Sequence, residues 1–222
     1  MKAVLFDLDG TLVDSLPTIA RGMQDALAIL GLPSVTEEQV GHWIGEGTPV
    51  LARKAATAVG AQEHSDALFS QFFPSYLPHI PETPEIAGAT ELLQRLHMAG
   101  LHCALVTNKP RALTEPLLAA LDWDRYLPVV ICGDDLAERK PHPLPLQEAC
   151  RRLNVDVADA VMVGDSRHDI AAARAAGMPV AALAGGYNHG EIIQGADFHG
   201  DTLQECGDWV LRNAKQFSKV SG

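Results

Sequence analysis

The chain has 222 residues, 47% of them apolar, and its 28 acidic and 17 basic side chains leave a formal net charge of −11. That surplus argues against nucleic acid or an anionic membrane as partner, and any phosphorylated ligand must be drawn in by local positive charge or a metal ion. No apolar run reaches the length of a membrane span, and Asp7 and Asp9 interrupt the apolar start as no secretory leader would, so a soluble, cytoplasmic protein is expected.

Ala3 to Phe6 is an unbroken apolar run, which suits a strand buried on both faces of a parallel sheet. Asp7, Leu8, Asp9, Gly10 and Thr11 follow at once. Two carboxylates at the end of a buried strand are costly unless a cation or a catalytic task holds them there, although Asp and Gly also favour a plain solvated turn. In extended geometry Asp7 and Asp9 project to the same side. From Leu16 to Leu30 the apolar spacing becomes helical, with Asp14 or Ser15 as cap and Pro17 in the first turn. Thr36 to Gln39 is a capping-box pattern that predicts a short helix through Trp43 and Ile44. Further helices are expected from Thr48-Pro49 to about Gly60 and through Leu68, Phe69, Phe72 and Phe73, ending near Pro74 to Pro78. Pro81, Pro84 and Gly88 mark a return junction.

Beyond it the pattern alternates. Helices are expected over Ala89 to Ala99, through Leu113 to Leu121, after Lys140-Pro141 to about Leu153, over Ile170 to Ala176, and over 203 to 217. Apolar strands are expected at His102 to Val106, Val129 to Cys132, Ala160 to Val163 and Val180 to Leu183. Such alternation predicts an α/β fold with a doubly wound parallel sheet. The domains divide as 1–14 with 84–222 for the α/β core and 15–83 for an inserted helical layer. The four cysteines show no CxxC spacing and are read as small buried hydrophobes.

In open parallel sheets ligands bind beyond the carboxyl ends of the strands. Asp7 and Asp9, Thr107 and Asn108, and Asp165 and Asp169 each follow an apolar strand directly, and so meet at that edge. Several carboxylates without a His or Cys cluster suit a hard cation with oxygen ligands, and Mg²⁺ is the expected ion. Lys140 would add a second positive charge for a phosphate, although a lysine before a proline is also common on surfaces. Thr107 offers a hydroxyl to a phosphoryl oxygen or else caps the next helix. Asp169 equally suits a helix first turn.

The runs Asp7-Leu8-Asp9-Gly10-Thr11, Thr107-Asn108, Lys140-Pro141 and Gly164-Asp165-Ser166-Arg167-His168-Asp169 resemble, in order and spacing, the four motifs of the haloacid-dehalogenase-like phosphohydrolase superfamily. The closer likeness is to bacterial phosphoglycolate phosphatases, through Trp43 to Gly47, Val106 to Pro110, Gly133-Asp134-Asp135, Lys140 to Pro143 and Gly186 to Glu191. The resemblance implies a Rossmann-like core with a small α-helical cap, and Mg²⁺-dependent hydrolysis of a small phosphorylated metabolite, 2-phosphoglycolate in first place. It implies Asp7 as nucleophile and Asp9 as proton donor and acceptor. The metal would be held by the Asp7 carboxylate, the Asp9 carbonyl and the Asp165 carboxylate, with Asp169 orienting a neighbouring ligand. Thr107, Asn108 and its neighbouring amides, and Lys140 would hold the non-transferred oxygens.

Asp9 favours phosphate esters over dehalogenation, because an alkoxide needs a proton on leaving and a halide does not. Phosphonate cleavage would need an imine-forming lysine in the cap, and Lys54 there reads as a helix surface. The loop Gly45-Glu46-Gly47 either reaches the substrate or merely joins two helices. Trp43 is expected in the cap core, while Tyr187, Asn188 and His189 either touch substrate or form a plain loop. Another small phosphate such as a sugar phosphate, a phosphomutase, and a catalytically silent binding protein are the alternative readings; the oligomeric state is not legible.

Overall fold

The computed structural model describes residues 1–187 and 194–217, the last three in backbone only. Among these residues, β1 (Ala3–Phe6), β2 (His102–Val106), β3 (Val129–Ile131), β4 (Ala160–Gly164), β5 (Val180–Leu183) and β6 (Phe198–Gly200) make one parallel sheet, ordered β3-β2-β1-β4-β5-β6. Ala3 sits opposite His102 on one side and Ala160 on the other, so β1 is central. Because successive side chains leave opposite faces of a strand, Val4 and Phe6 enter one apolar core while Ala3 and Leu5 enter the other. Both faces are covered, which is why β1 reads as an uninterrupted apolar run.

The helices α5 (Ala89–Met98) and α9 (Leu203–Phe217) pack on the first face, with α6 (Arg111–Leu121) contributing Leu113 and Leu117 to the same core. On the second face lie α7 (Leu144–Leu153) and α8 (Arg167–Ala176). Between β1 and α5 the chain forms a separate layer of α1 (Leu16–Ile29), α2 (Glu37–Gly41), α3 (Thr48–Ala58) and α4 (Ser65–Tyr76), followed by a 3₁₀ turn over Leu77–Glu82. This is the doubly wound α/β core with an inserted helical cap that the alternation predicts.

Two details differ from the expectation. A sixth strand, β6, lies at the sheet edge, and only three residues long it carries no period that a sequence pattern could reveal. The capping box of α2 is present, with the Gln39 amide donating to Thr36 Oγ1 at 3.1 Å and the Thr36 amide to Gln39 Oε1 at 2.8 Å, but α2 stops at Gly41 and leaves Trp43 and Ile44 in the turn that follows. Helix α4 ends at Tyr76, within the expected bound, and runs through Pro74 because burial of Phe72 and Tyr76 outweighs the backbone bond that proline removes.

The chain leaves and re-enters the core side by side. The Asp14 amide donates to the Pro84 carbonyl at 2.9 Å and the Ile86 amide to the Leu12 carbonyl at 2.8 Å, an antiparallel pairing of the outgoing and returning segments. Thr18 and Thr83 join the same junction through their hydroxyls at 2.9 Å.

Candidate active site

In the observed strand order, β2 and β3 lie on one side of β1 and β4 to β6 on the other, so the winding reverses between β1 and β4. Such a switch point opens a crevice at the carboxyl ends of the strands. Asp7 and Thr107 sit there in fixed register, because their amides continue the sheet ladder to Val163 and Ile131 at 3.0 and 2.9 Å. The chain then turns sharply, with the Leu8 carbonyl accepting from the amides of Thr11, Leu12 and Val13. Gly10 has φ +83°, and a Cβ there would collide with the Asp165 carboxylate, so this position requires glycine on both counts.

Asp165 follows β4 and is held by both oxygens: Thr11 Oγ1 donates to Oδ1 at 2.8 Å and the Tyr187 amide to Oδ2 at 2.7 Å. Asp7, Asp165 and Asp169 bring carboxylate oxygens within 4.8 Å of one another. Asp169 caps α8 in a reciprocal box with Ser166, and its other oxygen meets Lys140 Nζ at 2.6 Å. Lys140 is buried and also reaches Asp7 at 2.9 Å. Burial, then the neighbouring Asp169, push the Asp7 carboxyl up to about 7. Burial, then Asp7 and Asp169, push Asp165 up to about 8. Burial works against the Lys140 charge, and the two aspartates overcome it and keep the ammonium charged.

Crowded carboxylate oxygens with raised proton affinity are what a divalent cation relieves, so this donor set fits a hard metal ion. It also fixes a pH dependence. A carboxyl raised in the fold binds a proton that the unfolded chain has released, so the metal-free protein loses stability as pH climbs from the ordinary carboxylate range through about 7 and 8. Thermal unfolding in EDTA should therefore show a falling midpoint between pH 5 and 8. Added Mg²⁺ should raise the midpoint by at least about 3 °C more at pH 8 than at pH 6. An equal rise at both pH values would remove this cluster as the binding place.

The Asp9 carboxylate turns away from the cluster. Its two oxygens accept from Lys109 Nζ at 3.0 and 3.3 Å, and the same ammonium donates to the Tyr76 hydroxyl at 3.0 Å. Thr107 does not cap α6, whose cap position is Pro110; its hydroxyl oxygen accepts from the Lys109 amide at 3.1 Å. The Asn108 amide nitrogen donates to the carbonyls of Lys140 at 2.9 Å and Gly45 at 3.1 Å, tying the Gly45-Glu46-Gly47 loop to the core. Asn108 Oδ1 is buried with no partner. Glu46 pairs with Lys54 at 2.7 Å and comes within 3.9 Å of Arg167.

These groups surround one cavity of about 70 Å³, floored by Asp7, Asp9, Thr107, Lys109, Lys140 and Asp165 and roofed by Ile19, Trp43, Ile44, Leu51 and Phe72 of the helical layer. The strand-end pattern brings most of this floor together. It does not single out Lys109, which follows Thr107 and Asn108 in the same turn, or Tyr76, whose place depends on the fold alone. Trp43 packs against the apolar core and lines the cavity as well. Tyr187 serves the junction: its hydroxyl donates to Asp14 at 3.0 Å and accepts from the Leu16 amide at 2.8 Å. Asn188, His189, Gly190 and Glu191 lie outside the described residues.

The haloacid dehalogenase-like hydrolase family model matches residues 4–183, and the chain belongs to that family. It is 40% identical over 217 residues to the phosphoglycolate phosphatase of Salmonella typhi, spanning 87% of this chain and 85% of the relative. It is 39% identical over 217 residues to that of Escherichia coli K12, with the same coverage. Among solved structures, a predicted phosphoglycolate phosphatase from Haemophilus somnus 129pt superposes with a TM-score of 0.86 at 32% identity over 95% of this chain and 98% of that one. CbbY from Rhodobacter sphaeroides, in complex with phosphate, gives 0.80 at 25% identity over 93% and 96%. No helix among the described residues is long and apolar enough to cross a membrane.

Proposed function

We propose that this chain is a Mg²⁺-dependent phosphatase of small phosphomonoesters, and that its substrate is 2-phosphoglycolate. The observation that carries the reading is the meeting of Asp7, Lys140 and Asp165 at the switch point, with Asp9 beside them in the same small cavity. The Salmonella, Escherichia and Haemophilus relatives support the substrate.

In this mechanism an Asp7 oxygen attacks phosphorus in line with the ester oxygen, forming an aspartyl-phosphate as the phosphorus–oxygen bond of the ester breaks. Asp9 gives its proton to the departing alkoxide, then takes one from the water that attacks the aspartyl-phosphate, releasing inorganic phosphate and free Asp7. Thr107 and Lys140 hold the oxygens that stay on phosphorus, where charge is stabilised in the transition state. Asp7, the Asp9 carbonyl and Asp165 would hold the divalent ion, with Asp169 orienting Lys140 and the cluster. The ion supplies positive charge that offsets the repulsion between carboxylate and phosphoryl oxygens.

Residues 15–83 act as a cap that excludes water, and the paired segments at Leu12 to Asp14 and Pro84 to Ile86 are its hinge. Asn108, which spans core and loop, holds the Gly45-Glu46-Gly47 segment in the closed position. Imine chemistry from the cap is disfavoured, since Lys54 is paired with Glu46 and is not among the cavity-lining residues. The test is kcat/KM across a panel of small phosphates with Mg²⁺ present. 2-Phosphoglycolate should exceed glucose 6-phosphate and other sugar phosphates by at least about a hundredfold. A sugar phosphate at the head of the panel would overturn the substrate, and product isomer without free phosphate would overturn hydrolysis.

A further inference from the structure

Lys140 is committed to the nucleophile side of the cavity, between Asp7 and Asp169. Lys109 is the lysine of the Asp9 side, 6% exposed, and it lines the cavity next to the carboxyl that serves the leaving group in the proposed mechanism. Its ammonium has three hydrogens: one is shared between the two oxygens of Asp9 at 3.0 and 3.3 Å, one goes to the hydroxyl of Tyr76, and the third is left for a ligand. Since that hydroxyl accepts from Lys109, its own proton remains to be donated. Tyr76 is fully buried and fixed: its ring stacks on Phe72 at 5.3 Å, and Gly22 of α1 packs so closely that a Cβ there would collide with it. The site therefore presents two donors, Nζ and Oη, 3.0 Å apart, a spacing that suits the two oxygens of one carboxylate.

We infer that Lys109 and Tyr76 form the subsite that recognises a carboxylate on the leaving side of the substrate, so that this site selects 2-phosphooxy carboxylates of two or three carbons. The inference rests on the phosphatase reading and adds the residues that choose the substrate. In a 2-phosphooxy carboxylate the ester oxygen and the nearest carboxylate oxygen are separated by two carbons, about 3 Å apart. Asp9 and Lys109 are spaced at that same 3.0 Å. One carboxyl can thus meet the ester oxygen while the adjoining ammonium meets the carboxylate. A chain carrying a net charge of −11 also needs such a cation where a second anionic group enters an acidic cavity. The apolar roof of Ile19, Trp43 and Ile44 offers nothing equivalent.

The comparison that tests this is 2-phosphoglycolate against 2-hydroxyethyl phosphate, its counterpart with an alcohol in place of the carboxylate. Measurements use the Mg²⁺-loaded wild-type enzyme, Lys109→Met and Tyr76→Phe. Removing a charged hydrogen bond to the carboxylate should lower kcat/KM for 2-phosphoglycolate about ten to a hundredfold more than for 2-hydroxyethyl phosphate. Tyr76→Phe, which keeps the charge and the ring, should shift the same ratio about three- to tenfold, mainly through KM. Equal losses on both substrates in both variants would show that the pair serves only Asp9 and would overturn the inference. A wild-type enzyme that prefers 2-phosphoglycolate while the variants keep that preference would overturn it and leave the proposed function standing. A wild-type enzyme without that preference would overturn the inference, and one that releases phosphate from neither substrate would overturn the proposed function as well.

Discussion

Asp7→Asn should lower kcat for 2-phosphoglycolate by at least about 10⁴-fold while leaving the protein folded. The amide has nearly the same shape and keeps its place at the end of β1, where the backbone of residue 7 is bonded to Val163. It cannot attack phosphorus to form an acyl phosphate. Asp7 is also one of the carboxylates that raise the proton affinity of Asp165, so a neutral residue there relieves repulsion. The melting midpoint in EDTA at pH 8 should stay level or rise. Phosphate release above about 1% of wild type, with contaminating phosphatase excluded, would sink the assignment of Asp7 as nucleophile. A drop in both rate and midpoint would instead make its role structural.

Lys140→Met should be costly in two separable ways. Lys140 is 3% exposed, and its ammonium is bonded to Asp7 and Asp169. Taking away one partner of a buried ion pair strands the other, an effect of about 3–5 kcal/mol, although the raised proton affinity of Asp7 lets protonation absorb part of it at neutral pH. Loss of a charge aimed at the transferring phosphoryl group should cost about 10²–10³ in kcat. Divalent metal supplies positive charge to the same cluster. It should therefore restore part of the lost melting midpoint and little of the lost rate. A variant as stable as wild type in EDTA would mean that Lys140 is not the counter-charge that holds the aspartates together.

How much of the molecule is legible in its sequence follows from which forces set each feature. The central strands announce themselves because burial on both faces leaves no room for polar residues between Ala3 and Phe6 or between Val161 and Val163. Strand β6 is three residues long at the sheet edge and carries no such signature. Asp7, Thr107 and Asp165 are readable because each polar residue directly ends an apolar run, and a parallel sheet brings all such ends to one edge. Lys140 is recognisable from its motif, while its fork between Asp7 and Asp169 is not. The contact of Lys109 with Asp9 and Tyr76 joins three distant stretches, and only the packing of α1 against α4 puts the tyrosine there. The end of α2 at Gly41 is of the same kind, since Trp43 and Ile44 have helical spacing yet serve the roof of the cavity.

The hydrogen-bonded crossing of Leu12 to Asp14 with Pro84 to Ile86 bears on how quickly the molecule assembles. Pairing β1 with β2 joins residues about a hundred positions apart, a separation that slows folding in proteins built on distant contacts. If the four-helix segment has already folded, its two ends lie together and the remaining loop is only about a third as long. At about 0.6 kcal/mol for each doubling of a loop, the shortening is worth about 1 kcal/mol of closure entropy. The crossing therefore favours, by about that much, a folding order in which the helices precede the central strand pairing. Substitutions that loosen the crossing should slow refolding more than they speed unfolding.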